Sequence, residues 1–372
     1  MSRDVLALAN AATARLRAYD PGHDLPALRE EYGPRLVELG SNETSLGASP
    51  AVAAAIAAAL PEIYRYPDPK GGALKRALAA QLGVDTAQIA LGNGSHELLM
   101  LIAQCFADAQ TSVVYSQYGF AVFAIATAAA GAIPVCVPAL PADHASAPLG
   151  HDLDAIAAAV RPDTRLVYVA NPNNPTGTWF DEAALARFLA QLPDHVVAVV
   201  DEAYAEYMTA PGTGSAVRLL RNGQGGRDNL IVTRTFSKAY ALAGLRVGYA
   251  VGSAPAIAVL ERLRESFNVN SLALVAAEAA LADAAHARHI REFTAVEREW
   301  LAAQLRARGL RVFPSQTNFV LVDFGRDARE IEAQLFRHAV VVRPMAGYGL
   351  PTCLRISVGT RIENERLLEA LA

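Results

Sequence analysis

The sequence predicts an α/β chain: a larger lobe built on a mainly parallel sheet, with a smaller α+β lobe beside it. Three observations carry that expectation. Strands expected over residues 165–170, 196–200 and 230–233 carry continuous apolar runs, at 166–170, 196–200 and 230–232, without polar alternation, the signature of strands covered on both faces. A helical pattern over residues 181–192 separates two of them, as in a strand-helix-strand crossover. From Asn318 onward, short strand and helix patterns alternate on a smaller scale.

The 372 residues suffice for two domains, or for a large and a small lobe sharing a cleft. With 52% hydrophobic and 19% charged residues the chain is globular rather than disordered. A formal net charge of -4 gives no reason to expect nucleic acid or an anionic membrane as partner. Cys105, Cys136 and Cys353 are widely spaced and odd in number, so neither a disulfide framework nor a zinc site is indicated and a reducing cytosol fits best. Arg3, Asp4, Arg15 and Arg17 leave no apolar core for a secretory signal. No charge occurs between Asp108 and Asp143, but glycines and prolines interrupt that segment, so it reads as buried helix and strand rather than a membrane span.

In chain order, residues 4–16 have a weak helical pattern closed by the turn signal Tyr19-Asp20-Pro21-Gly22. A short strand over 36–39 precedes the polar loop 40–47. Ser49 is placed to cap a helix with Pro50 in its first turn, and that alanine-rich run ends at Pro61. Tyr64-Arg65-Tyr66-Pro67-Asp68 reads as a turn, and Gly71-Gly72 begins a helix to about Leu82. Residues 89–91 then form a strand feeding Gly92-Asn93-Gly94-Ser95-His96 and a helix over 97–106. A glycine turn at a helix N-terminus aims free N–H groups and the positive end of the dipole at an anion. The His96 side chain is either a cap contact or idle. Tyr118 follows the strand that begins at Val113, where an aromatic could stack on a planar ring.

The strand over 165–170 runs into Asn171-Pro172-Asn173-Asn174-Pro175-Thr176-Gly177, a turn made rigid by two prolines and a glycine. The strand over 196–200 ends in Asp201-Glu202-Ala203-Tyr204. A carboxylate at the end of a buried strand is expensive to desolvate without a partner, and a protonated pyridine nitrogen would be one; a helix-capping Asp201 is the alternative.

Lys238 lies between the apolar runs 230–233 and 247–251, among Phe236, Tyr240 and Leu242 and eight residues before Arg246. Desolvation and a like charge would disfavour its ammonium and make it a nucleophile; a solvated surface lysine is the bland alternative. Thr235, Ser237 and Arg246 together suit a phosphate. A phosphate-anchored ligand beside a nucleophilic lysine suggests pyridoxal 5'-phosphate, held through its aldehyde as a Schiff base.

Residues 254–282 form one or two helices broken near Asn268-Val269-Asn270, read as the crossing between lobes. His286 and His289 are three apart on the next helical stretch, but without a third ligand they read as a solvated face, and no metal is expected. Residues 292–308 form an amphipathic helix. Strands are expected over 318–323, 340–343 and 353–357, with helices over 328–338 and at the end of the chain. Arg355 sits among apolar residues, a poor place for a charge unless an anion is bound; Arg343 ends its strand.

The lysine segment from Ser237 to Tyr249, with Gly244-Leu245-Arg246-Val247-Gly248-Tyr249 at its end, resembles the active-site lysine segment of fold-type I aminotransferases. The Asn171 to Gly177 run and Cys353-Leu354-Arg355-Ile356-Ser357-Val358-Gly359-Thr360 narrow the resemblance to the histidinol-phosphate aminotransferase family, from about Tyr19 to the C-terminus. The chain departs from the family pattern at Thr44-Ser45, Ser95-His96 and Ser116-Gln117. The resemblance implies that backbone donors at Gly94, Ser95 and His96 cradle the cofactor phosphate and that Tyr118 faces the pyridine. It places Asn171 and Tyr204 at the phenolic oxygen. Tyr66 would reach the cofactor phosphate of a neighbouring subunit, which implies a homodimer with shared sites. Tyr19 would help close the substrate side, Arg355 would grip the anionic end of the substrate, and Arg343 would lie near its phosphate. The implied substrates are L-histidinol phosphate and 2-oxoglutarate, in histidine biosynthesis. The large domain is expected over 41–265 and the small one over 1–40 and 266–372.

An aromatic-amino-acid aminotransferase or a phosphothreonine decarboxylase would use the same cofactor residues, and donor profiling separates them. A pyridoxal-phosphate-dependent sensor domain wants a DNA-binding segment, which the first forty or so residues, lacking a basic helix pair, do not supply. A catalytically dead interaction protein is disfavoured by the presence of lysine, aspartate, asparagine and arginine in their motifs.

Overall fold

The computed structural model describes residues 5–16, 22–221 and 227–372; Tyr19, expected on the substrate side, lies outside the described residues. The apolar runs pair into a seven-stranded sheet in the order Ile89–Gly92, Gly248–Gly252, Leu230–Thr235, Val197–Asp201, Thr164–Ala170, Ser112–Ser116 and Ile133–Val137. All neighbours are parallel except those of Gly248–Gly252, which is antiparallel to both of its partners. The connection 236–247 carries only the short turn Ala243–Leu245 and no crossover helix, so the chain must fold straight back. The α/β class expected from the sequence is the observed one.

Alternation along the strands sends Val167, Val169, Val200 and Val232 to one apolar cluster and Leu166, Tyr168, Val199 and Ile231 to another. Helices Gly72–Leu82 and Glu182–Gln191 cover the first face, and Gly94–Phe106 and Ala121–Ala129 cover the second. Burial on both sides is why these strands show no polar alternation in sequence.

A second, smaller sheet is antiparallel, in the order Arg343–Pro344, Cys353–Ser357, Phe319–Asp323 and Arg311–Val312. Val37–Glu38 pairs with Val340–Val341 in a two-stranded ladder, and Val37 and Leu39 join the cluster under this lobe. Helices Ala284–Ala307, Ala328–Arg337 and Arg361–Ala370 pack there with it.

The break expected near Asn268-Val269-Asn270 separates Ala254–Leu263 from Ser271–Ala282, and the Asn270 side chain caps the second helix by accepting from the Ala273 N–H at 2.8 Å. A division at 265/266 groups Ser271–Ala282 with the smaller lobe. Its Ala273, Ala276, Ala277 and Ala280 instead pack in the larger cluster, against the alanine-rich helix Pro50–Ala59. We propose that the division falls at Asp283, which caps Ala284–Ala307 and also accepts from the Ser49 hydroxyl at 2.6 Å. Among the described residues no helix is long and apolar enough to cross a membrane.

Candidate active site

The C-terminal ends of the parallel strands meet at one edge of the large sheet, where side chains from separate segments can converge. Asp201 closes Val197–Asp201, and Lys238 follows Leu230–Thr235 by three residues. The 171–177 turn leaves Thr164–Ala170, and Gly94–Phe106 begins beside Gly92, the end of Ile89–Gly92. Between them lies a cavity of roughly 180 Å³, to which Ser95, His96, Asp201, Tyr204, Lys238 and Arg355 all contribute.

One end of the cavity suits an anion. Gly94 has φ +81, and a Cβ there would sit 2.5 Å from Arg246 Nη2, so glycine alone lets the guanidinium approach the helix start. Arg246 Nη1 donates to Ser237 Oγ at 3.1 Å, and Thr235 Oγ1 donates to Ser237 Oγ at 3.0 Å. Arg246 itself holds a positive φ of 54°, a strained conformation for a side-chain-bearing residue that keeps it turned back on this loop. Burial first, and then the Arg246 charge, push His96 below its ordinary range.

The same cavity holds a buried acid. Asp201 is 4% exposed and accepts from Thr233 Oγ1 at 2.9 Å; burial pushes its carboxyl up to about 7, against the pull of that bond and of the Ala203 N–H. Lining the same cavity, Lys238 Nζ donates to the Ser41 carbonyl at 3.1 Å and lies 5.7 Å from the centre of the Tyr204 ring. Burial, and then the charge of Arg355, bring this amine down to about 7. An anion cradle, a buried carboxyl and a near-neutral amine on one small cavity form the donor set that a phosphorylated pyridine aldehyde requires, and these residues fit pyridoxal phosphate.

Of the residues expected here, Gly94, Ser95, His96, Asp201, Tyr204, Thr235, Ser237, Lys238 and Arg246 are brought together. Two expectations are corrected. The Asn171 amide is engaged at both ends with Phe180, donating to its carbonyl at 3.0 Å and accepting from its N–H at 3.1 Å, so it holds the turn together and does not face the cavity. Asn174, three residues on, lines the cavity, and its Oδ1 accepts from Arg355 Nη1 at 2.6 Å. Tyr118 does not face the cavity either. The Gly119 N–H bonds back to the Ser116 carbonyl, and this tight turn sends the Tyr118 ring to an apolar cluster with Phe313, Met345 and Cys353, while Phe120 lines the cavity.

Tyr66 is 82% exposed, stacked on Phe267 at 4.7 Å, and is not part of this cavity within the one chain. Asn42 is not among the expected site residues: its Nδ2 donates to the Tyr204 hydroxyl at 2.9 Å, and its traces in sequence are its place in the polar loop 40–47 and that loop's likeness to the family pattern up to Thr44.

Phe120, Asn174 and Arg355 also border a neighbouring cleft of roughly 910 Å³ that contains Arg343. Arg343 and Arg355 are directly opposed in the antiparallel register of their strands. Like charges so placed repel, and an anion between or beside them relieves that repulsion. The Arg355 guanidinium is further fixed by donating to the Gly40 carbonyl at 2.9 Å and lies 5.3 Å from the centre of the Phe319 ring.

A family model for aminotransferases of class I and II matches residues 34–371. A histidinol-phosphate aminotransferase 2 of Pseudomonas aeruginosa is 47% identical over 99% of this chain and 98% of its own length. Its counterpart in Methylococcus capsulatus is also 47% identical, over the same shares. Among solved structures, the histidinol-phosphate aminotransferase of Sinorhizobium meliloti in complex with pyridoxal-5'-phosphate superposes with a TM-score of 0.86 at 32% identity, covering 100% of this chain and 97% of that one.

Proposed function

The chain belongs to the class I and II aminotransferases, and from that premise we propose that it transfers the amino group of L-histidinol phosphate to 2-oxoglutarate, a step of histidine biosynthesis, using pyridoxal phosphate. The observation that carries this reading is the junction at Arg355. The cavity holding amine and acid opens there into a cleft with a second guanidinium, so an anion-bearing substrate is held beside the amine.

When bound, pyridoxal phosphate supplies an aldehyde that captures amines and a ring that accepts electrons from the substrate carbon. The chain supplies the rest. The N–H groups of the first turn at Gly94, with Ser237, Thr235 and Arg246, hold the phosphate and fix where the ring lies. Asp201 holds a proton at the ring nitrogen, a role that also gives its buried charge a partner. Tyr204 already accepts from Asn42, which leaves its own hydrogen free to donate to the phenolic oxygen. Asn174 accepts from Arg355 through Oδ1, and so presents its Nδ2 hydrogens to the same oxygen. Lys238 Nζ, brought down to about 7 and so about half neutral at pH 7, would carry the proton from the substrate carbon to the carbon of the cofactor's former aldehyde. Arg355 and Arg343 hold the carboxylate or phosphate of the two substrates in turn.

A homodimer completes the proposal. Leu60, Ile63, Tyr64, Tyr66 and Phe267 are all exposed, and the Tyr66 and Phe267 rings are stacked on each other, so this surface suits a second copy that would receive Tyr66. Cytosolic placement rests on the three free thiols and on the biosynthetic reaction.

The test is a donor panel with 2-oxoglutarate: L-histidinol phosphate, phenylalanine and tyrosine. Preference for histidinol phosphate in kcat/KM supports the assignment. Preference for an aromatic amino acid would retain the class and overturn the substrate.

A further inference from the structure

Asp201, Thr233 and Thr235 point to the cavity side of their strands, so the residues that alternate with them, Glu202 and Arg234, face the other side. There the Arg234 guanidinium joins two carboxylates. Its Nε lies 3.5 Å from Glu202 and its Nη2 lies 3.3 Å from Glu206. Glu202 is 1% exposed and is itself fixed, accepting from Ser215 Oγ at 2.7 Å and from the Ala216 N–H at 2.5 Å. Tyr249 stands opposite Arg234 in the strand register and shares a hydrogen bond with it. Burial opposes the Arg234 charge, but Tyr249, Glu206 and Glu202 outweigh it and keep the guanidinium ionised.

Each partner adjoins a residue of the cavity. Glu202 follows Asp201, Glu206 lies two past Tyr204, and Arg234 separates Thr233, which bonds Asp201, from Thr235, three residues before Lys238. We propose that Arg234 is a positioning residue, whose ties to Glu202 and Glu206 hold Asp201 and Tyr204 in register with Lys238 from the opposite side of the sheet. The inference rests on the cavity being a pyridoxal phosphate site. A salt bridge at the surface would carry no such consequence, but this one is largely withdrawn from water, and its two carboxylates come from the segment that ends one strand while its cation comes from the next.

The test compares wild type, R234K, R234Q and the uncharged set R234M/E202Q/E206Q. Lysine keeps the charge but lacks the fork that reaches both carboxylates. Thermal melting of the cofactor-free chain reads the fold; visible circular dichroism and affinity for pyridoxal phosphate read the register; kcat and KM are measured on the holoenzyme. A displacement of about 1 Å between reacting groups costs on the order of a hundredfold in rate, so R234K should lose kcat on that scale while donor KM changes by less than about threefold. The uncharged set should recover the melting temperature lost in R234Q, because no charge is left buried alone, yet keep the altered dichroism and the low kcat. Wild-type dichroism and kcat in R234K, or in the uncharged set, would overturn the positioning role. A wild-type chain without a Lys238-dependent visible band would instead overturn the cavity reading, and this inference with it.

Discussion

Replacing Asp201 by asparagine should stabilise the cofactor-free chain while impairing its use of the cofactor. The carboxyl is 4% exposed, and burial raises it from an ordinary 3.8 to about 7. That displacement corresponds to roughly 4 kcal/mol between its two protonation states. Below pH 3.8 the group is neutral in both folded and unfolded chains. Between 3.8 and 7 the unfolded chain ionises while the folded one stays protonated, so the stability this group contributes is lost as pH rises, and above 7 the folded chain carries a buried charge. Asparagine avoids that charge and keeps the acceptor for the 2.9 Å bond from Thr233. Urea unfolding of the cofactor-free proteins should therefore favour D201N by about 1 to 4 kcal/mol at pH 8, the lower figure allowing for an imperfectly paired amide. The advantage should shrink towards zero near pH 4. Adding pyridoxal phosphate should reverse the order at pH 8, because the wild type gains more from a ligand it binds more tightly. A difference independent of pH, or a more stable cofactor-free wild type at pH 8, would refute the reasoning.

Other substitutions separate neighbouring roles. N174A should lower kcat by on the order of tenfold or more with a near-normal melting temperature, whereas N171A, which breaks both bonds to Phe180, should cost about 1 to 3 kcal/mol of stability; equal effects of the two on kcat would undo the distinction. R355Q removes a guanidinium held by Asn174 and Gly40 and should raise KM for donor and acceptor alike by on the order of a hundredfold, while R343Q should weaken the phosphorylated donor more than 2-oxoglutarate. Stopped-flow capture of pyridoxal phosphate by the cofactor-free chain should rise about tenfold per pH unit below 7 and level off above it, because only the neutral Lys238 amine attacks. A rate still climbing at pH 9 would mark an ordinary, solvated lysine.

The parts of this site legible in sequence are those fixed by regular structure. A buried strand has a known direction and a definite end, so Asp201 and Lys238 could be placed from the apolar runs before them, whereas Tyr204 rests on the family resemblance. The 171–177 turn is different. It offers three asparagines, and which amide faces inward depends on backbone torsions that follow no period; Asn171 closes the turn on Phe180, Asn173 donates to the Tyr118 carbonyl, and Asn174 alone lines the cavity. The exchange of Tyr118 for Phe120 has the same origin, because the turn after Ser112–Ser116 ends the alternation that would have oriented the ring. Ser271–Ala282 is apolar nearly all round, so no amphipathic stripe marks the lobe it belongs to.

Asp201 and Arg234 show that burial of a charge does not by itself decide what its removal does. Both lie near the ends of adjacent parallel strands, and both are largely withdrawn from water. Arg234 meets two carboxylates that the chain itself supplies, so taking it away strands charges in the interior and should destabilise the fold at any cofactor concentration. Asp201 has only a hydroxyl and an amide from the chain, and its countercharge comes with the cofactor. Neutralising it should therefore stabilise the empty protein and weaken the loaded one. Opposite signs for these two substitutions in one unfolding experiment would separate a charge placed for the fold from a charge placed for the ligand.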